Sequence, residues 1–149
     1  MDRETIIRQL KKDEGFTARA KWDVTDWRYG YGCTAPHEGA VISEETASSL
    51  LARRVDQAIQ EFHEVFHDQP MDDVRQGALV NMVFNMGKGS VKTHKGILGF
   101  PAMIAAIRAD NWGEAAIQAK DSLWYRQLKD SGDPPGRARR IVAEIRKGG

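Results

Sequence analysis

The chain has a single cysteine, Cys33, and no long apolar run. One cysteine excludes an intramolecular disulfide framework, so a packed core must hold the fold, and synthesis in a reducing compartment is the simple expectation. No stretch reaches the roughly 20 apolar residues that span a bilayer, so stable membrane insertion is not expected. The opening segment MDRETIIRQLKKDEG is charged throughout and has no apolar core of a secretory signal. An excess of charge of one sign is also missing: 22 basic and 21 acidic side chains leave a net charge of +1, which gives no global field for nucleic acid. Internal repeats and low-complexity tracts are absent as well.

What remains is ordinary globular composition. The 149 residues are 41% hydrophobic and 29% charged, enough for one domain with a real core and too apolar for disorder. Basic residues are uneven, however. Arg126, Lys129, Arg137, Arg139, Arg140, Arg146 and Lys147 crowd the C-terminal end, either as a face for a polyanion or as a solvated helix.

The pattern predicts a helix over 2–13, with Asp2 as N-cap, Ile6, Ile7 and Leu10 on one face, and Gly15 as the stop. Residues 16–42 are the β-forming part: Trp22, Trp27, Tyr29, Tyr31, Val41 and Ile42 alternate with glycine and proline breaks, which reads as a small antiparallel sheet with a long loop at 33–40. Ser43 caps a long helix running to about residue 67, closed by Pro70, with Glu44 and Glu45 in its first turn. A helix starting at Asp72 or Asp73 and stopped by Gly87 is apolar nearly all round, which suits the buried centre of a helical lobe. Further helices are expected near 101–109, 112–122 and 136–147. The division is a sheet lobe at about 14–42, a linking helix at about 43–67 and a helical lobe at about 70–149, in an α+β chain that is mostly helical.

Two carboxylates stand out. Glu14 ends the first helix, Asp23 follows nine residues later, and the aromatic run to Gly30-Tyr31-Gly32 comes next. Carboxylates on different elements, beside rings and close-approach glycines, suit hydrolysis of a sugar chain, where one carboxyl delivers a proton and the other activates water or steadies a cation. A second motif competes. His63-Glu64-Val65-Phe66-His67 matches HExxH, which on a helix sets two zinc ligands one turn apart with a glutamate base. A catalytic zinc needs a third ligand, and Pro70 stands where the extended pattern has glycine. His94 is expected in a loop, and Phe62 and Phe66 should face the core with His63 and His67 towards solvent. Neither a metal nor a cofactor is expected.

Asp13-Glu14-Gly15, Asp23, Gly30-Tyr31-Gly32, Asn81-Met82-Val83-Phe84-Asn85-Met86-Gly87, Trp124-Tyr125 and Arg137-Ala138-Arg139-Arg140 together resemble the T-even phage endolysins, the phage-type lysozymes of glycoside hydrolase family 24. The resemblance covers nearly the whole chain. It implies a lysozyme-like fold and cleavage of the β-1,4 bond between N-acetylmuramic acid and N-acetylglucosamine in bacterial peptidoglycan. By position it implies Glu14 as general acid, Asp23 as the carboxylate assisting water, and an inverting outcome. It also implies Arg137 paired with Glu14, Asn85 near Glu14, and Gly30, Phe100 and Gln118 at the saccharide cleft, with core packing the other reading of Phe100. The phage context implies a monomer that accumulates in the host cytoplasm and is released towards the cell wall by a holin.

Two departures matter. Arg28 occupies the place of a threonine that in the family helps hold the attacking water, and the Asp-to-Gly spacing is one residue short. Arg28 can bind a sugar or Asp23, but it has no acceptor. A lytic transglycosylase acting on the same bond, with the muramic 6-hydroxyl as nucleophile, therefore stays open. So do a zinc peptidase using HEVFH and a peptidoglycan-binding module without turnover. Cys33 replaces a structural histidine of the family.

Overall fold

Asp2 opens the first helix. In the computed structural model, which describes residues 1–149, the Asp2 carboxylate accepts from the Thr5 amide at 3.1 Å and α1 runs Arg3–Glu14. Ile6 and Leu10 form its buried face. Gly15 stops the helix at φ +69°, and its amide donates back to the Lys11 carbonyl. Glycine adopts this left-handed backbone without a Cβ penalty. The chain therefore turns sharply just after Glu14 and leaves that carboxylate at the helix end.

The next residues form a three-stranded antiparallel sheet in the order β1-β2-β3: β1 is Thr17–Asp23, β2 Asp26–Gly30 and β3 Cys33–Thr34. Trp22 lies opposite Trp27 and Asp23 opposite Asp26, so the hairpin closes through Val24 and Thr25. Trp27 and Tyr29 pack on a small cluster of Ala20, Ala35 and Ala40. The anticipated loop at 33–40 is shorter at its start, because Cys33 and Thr34 pair with β2, and Arg19 bridges to Val41 beyond it.

Ser43 then accepts from the Thr46 amide at 3.1 Å and caps α2, Glu44–Phe66. At 1.5 Å per residue this helix is about 35 Å long, which suits a strut. Its buried stripe runs from Ala47 through Leu51, Val55, Ala58 and Phe62 to Phe66. At the sheet end, the Tyr31 hydroxyl donates to Glu44 at 3.0 Å. The Glu44 carboxyl is held below its ordinary pKa, first by the Ser48 hydroxyl and then by Tyr31 and Lys11.

Capped by Asp72, α3 (Asp73–Met86) buries every residue from Ala78 to Val83. Around it lie α4 (Pro101–Arg108), α5 (Trp112–Lys120), α6 (Leu123–Leu128) and α7 (Arg137–Lys147). One core joins these helices to α1 and α2. The fold is α+β and lysozyme-like. Among the α-helices only α6 was not anticipated: its six residues, capped by Ser122, are too short to show a helical period.

Candidate active site

Glu14 sits where three elements meet. Its backbone ends α1, its carboxylate is 20% exposed, and Arg137 at the start of α7 donates from Nη1 to its Oε1 at 3.2 Å. On the other side, a Cβ added to Gly32 would lie 2.8 Å from Glu14 Oε2. The missing side chain at Gly32 is therefore what lets the loop after β2 close over this carboxylate. One oxygen is held by a buried cation and the other faces a glycine.

Arg137 is itself 5% exposed, and a buried guanidinium must be matched by charge and acceptors. Its Nε donates to Asn81 Oδ1 at 2.9 Å. Asn81 Nδ2 donates to Asp13 Oδ2 at 2.8 Å. The Asp13 side chain is fully buried and also accepts from Arg140 Nη2 at 2.6 Å and from the Asp133 amide at 3.1 Å. The result is a chain of charge-assisted hydrogen bonds linking α1, α3 and α7, with two arginines set against Asp13 and Glu14.

This network corrects two readings. The amide in it is Asn81, not Asn85: Asn85, one turn later on α3, is exposed and accepts from Trp124 Nε1 at 3.0 Å. The basic C-terminal cluster is not one surface either, because Arg137 and Arg140 point inward and Arg139 pairs with Asp130 at 2.9 Å. In the sequence Asp13 stands out only as part of the Asp13-Glu14-Gly15 motif. The signal that could have found its role is the Arg137/Arg140 pair at helical spacing, since two arginines on one inward face demand two buried acids.

Asp23 ends β1 at the open tip of the hairpin, with its side chain exposed. Arg28 lies two residues in from Asp26 on β2. It donates to Thr34 Oγ1 at 3.0 Å, reaches the Gly32 carbonyl at 3.5 Å, and pairs with Asp26 at 3.8 Å rather than with Asp23. Arg28 thus straps β2 to β3 and to the loop that covers Glu14. Gly30 is placed elsewhere: it is buried, and a Cβ there would meet Ala47 at 3.1 Å. Its role is to seat the sheet on α2, and the glycine at the carboxylate is Gly32.

Phe100 and Gln118 do come together. Both line a groove of about 390 Å³ whose walls include Met86, His94 and Trp124. Gln118 donates to Glu114 at 2.8 Å, and Phe100 also packs against the main core.

The HEVFH segment is not built for zinc chemistry. The helix ends at Phe66, and His67 is its cap at φ +53°. Glu64 is ion-paired with Lys88 at 2.8 Å, which pulls its carboxyl below the ordinary range. No third His, Cys, Asp or Glu gathers beside the two histidines to complete a ligand set.

The fold and this site define a class: a lysozyme-like α+β protein with an acid fixed at the end of its first helix and a carboxylate-tipped hairpin. The chain matches the Phage lysozyme family over residues 11–140 and belongs to that family. It is 39% identical over 80 residues to the pre-baseplate central spike protein Gp5 of Enterobacteria phage T4, a match covering 54% of this chain and 12% of that one. It is 33% identical over 78 residues to a Dictyostelium discoideum protein named "Probable T4-type lysozyme 1", covering 52% of this chain and 39% of that one. The matched segments thus span well under half the length of these relatives.

Proposed function

We propose that the chain is a muramidase that hydrolyses the β-1,4 bond between N-acetylmuramic acid and N-acetylglucosamine in bacterial peptidoglycan. The observation that carries this reading is the fixed Glu14 carboxyl, with Oε1 engaged by Arg137 and Oε2 against the space at Gly32. With Oε1 accepting from a guanidinium, the catalytic proton belongs on Oε2. In the reaction that proton passes to the glycosidic oxygen as the bond from the anomeric carbon breaks. A water attacks the same carbon from the opposite face, and its proton goes to Asp23. Proton return to Glu14 through solvent completes the cycle. This is the inverting scheme, which needs room for a water between the carboxyls, and an acid on a helix with a base on a hairpin tip is compatible with it. Phe100 and Gln118 are assigned to the glycan in their groove.

The test is a digest of purified peptidoglycan by wild type and by Glu14→Gln, with a parallel sample in EDTA, read by mass spectrometry. Free reducing ends that disappear in Glu14→Gln and persist in EDTA are expected. Peptide-bond products lost in EDTA would replace this reading with a metallopeptidase. Binding without cleavage by the wild type would make the chain a binding module. One observation favours a second reading on the same bond: Arg28 is engaged with Thr34 and Asp26, which leaves no hydroxyl at that place to hold a water with Asp23. A lytic transglycosylase would leave 1,6-anhydro ends in the same digest.

In a phage setting the chain would accumulate in the host cytoplasm as a monomer and reach the wall through a holin. No helix is long and apolar enough to cross a membrane by itself. Co-expression in a host with and without a holin tests this by the timing of lysis.

A further inference from the structure

The groove that holds Phe100 and Gln118 is walled on one side by a loop with an unusual charge pattern. Between Gly87 and Phe100 the chain carries Lys88, Lys92, His94 and Lys95 and no acidic residue. This loop is built rather than slack. Ser90 and Lys95 exchange backbone hydrogen bonds at 2.9 and 3.3 Å, Leu98 donates back to the Lys88 carbonyl at 3.0 Å, and Ile97 anchors the far end in the core with no exposure. Lys88, at the root of the loop, is paired with Glu64 of the HEVFH segment at 2.8 Å. Lys92 and Lys95 are exposed and have no acidic partner. His94, at φ +55°, is held in a left-handed conformation that costs a non-glycine residue energy and recurs where a side chain is aimed at a task. It lines the groove. Asp121 is the one acid on the groove wall.

A rigid loop that presents two unpaired cations and a strained histidine beside a glycan groove calls for an anion carried by that glycan. We propose that residues 92–95 recognise the free carboxylates of the peptides attached to the glycan strand. This rests on the muramidase reading and adds to it a preference for which part of the mesh is cut. Exposed pairs of this kind are individually weak, so the expected effect is about threefold to tenfold for the two lysines together, and it should fade with salt.

The experiment uses soluble strands bearing uncross-linked tetrapeptides, and the same strands with their carboxyls converted to amides. Wild type is expected to show a kcat/KM about threefold to tenfold higher on the carboxylate form, expressed in KM. Lys92→Ala/Lys95→Ala should remove that preference and leave cleavage of the amidated strands unchanged, while Lys92→Arg/Lys95→Arg should keep it. Equal cleavage of both strands by wild type overturns the proposal, as does a preference that survives in the alanine variant. If the alanine variant instead loses sedimentation with phosphatidylglycerol vesicles while the preference stays, the loop is a lipid contact and the proposal falls. Should wild type cleave neither strand, the muramidase reading fails. Binding of the tetrapeptide-bearing disaccharide against its amidated form then decides this inference by itself.

Discussion

Gly32→Ala tests whether the site depends on the close approach of a backbone to Glu14. The substitution imposes two separable costs. Gly32 has φ +78°, and an L-residue there loses about 1–2 kcal/mol. At this chain length that lowers Tm by about 2–4 °C per kcal/mol. The new methyl would also sit 2.8 Å from Glu14 Oε2. The obstructing atom is the end of a flexible side chain, so the clash is relieved cheaply by rotating the carboxylate, with little further loss of stability. That rotation breaks the 3.2 Å bond from Arg137 and displaces the proton donor by about 1 Å, a shift that costs on the order of 10²-fold in rate. Gly39→Ala is the control: φ is +79° and nothing lies within 4 Å of the added Cβ, so backbone strain is present without the clash. Both variants should melt a few degrees below wild type. Only Gly32→Ala should lose kcat for release of reducing ends from peptidoglycan. If Gly32→Ala keeps more than about a third of wild-type kcat, a shift far smaller than displacement of the donor entails, the fixed-carboxylate reasoning fails.

Two further outcomes follow from the surrounding network and a third from the HEVFH segment. Asn81→Ala strands buried hydrogen-bonding groups on both Arg137 and Asp13 and should cost about 2–4 kcal/mol, measured by urea unfolding; a loss below about 1 kcal/mol would show that the network is not held as described. Glu144 is pushed above its ordinary pKa, first by burial, with Arg140 opposing and Asp13 adding to the rise. The fold therefore disfavours its ionised form: the stability tied to the neutral carboxyl is complete below the unfolded value and is lost as pH rises through the folded one. Glu144→Gln should accordingly stabilise the protein near pH 7 and do little near pH 3, and the opposite pH trend in urea midpoints would refute this. His63→Ala/His67→Ala should leave cleavage of peptidoglycan at the wild-type rate with or without EDTA, and loss of activity in the double variant would restore HEVFH as the site.

The elements were legible because each carries its own punctuation. Asp2, Ser43 and Asp72 cap their helices, Gly15 and Gly87 end them, and the stretch from Ala78 to Val83, apolar but for Asn81, needs burial on all sides. Of the candidate site, the placing of Glu14 at a helix end and of Asp23 on a hairpin was legible from local motifs, and the pairing of Arg137 with Glu14 from the family pattern that reaches across the chain. Two asparagines four residues apart share one helix face, so the pattern alone could not tell which of them meets α1. The crossing of α1 over α3 selects Asn81 and leaves Asn85 to Trp124. Gly30 and Gly32 posed the same problem. Both have left-handed backbones, and only the seating of β2 on α2 shows that one faces Ala47 and the other Glu14.

Glu14 and Asp23, the two carboxylates of the proposed site, lie on different elements and are held in different ways. Although α1 comes first in the chain, Ile6 and Leu10 share the core of the helical part, and Glu14 is tied through Arg137 and Asn81 to α7 and α3. The acid is therefore fixed relative to the helices. Asp23 instead rides on the tip of a hairpin whose own packing is a cluster of three buried alanines with Trp27 and Tyr29 against it. Gly15, at a backbone angle open to glycine, joins the two. A small rotation of the sheet about Gly15 and the end of α2 would change the separation of the carboxylates without disturbing the hydrogen bond that orients Glu14. In the proposed reaction the acid's orientation would thus be set by folding, and the space for the attacking water by how the sheet stands towards the helices. Arg28 braces β2 to β3 and to the Gly32 loop. A sheet braced in this way would carry Asp23 and the cover over Glu14 together in such a rotation.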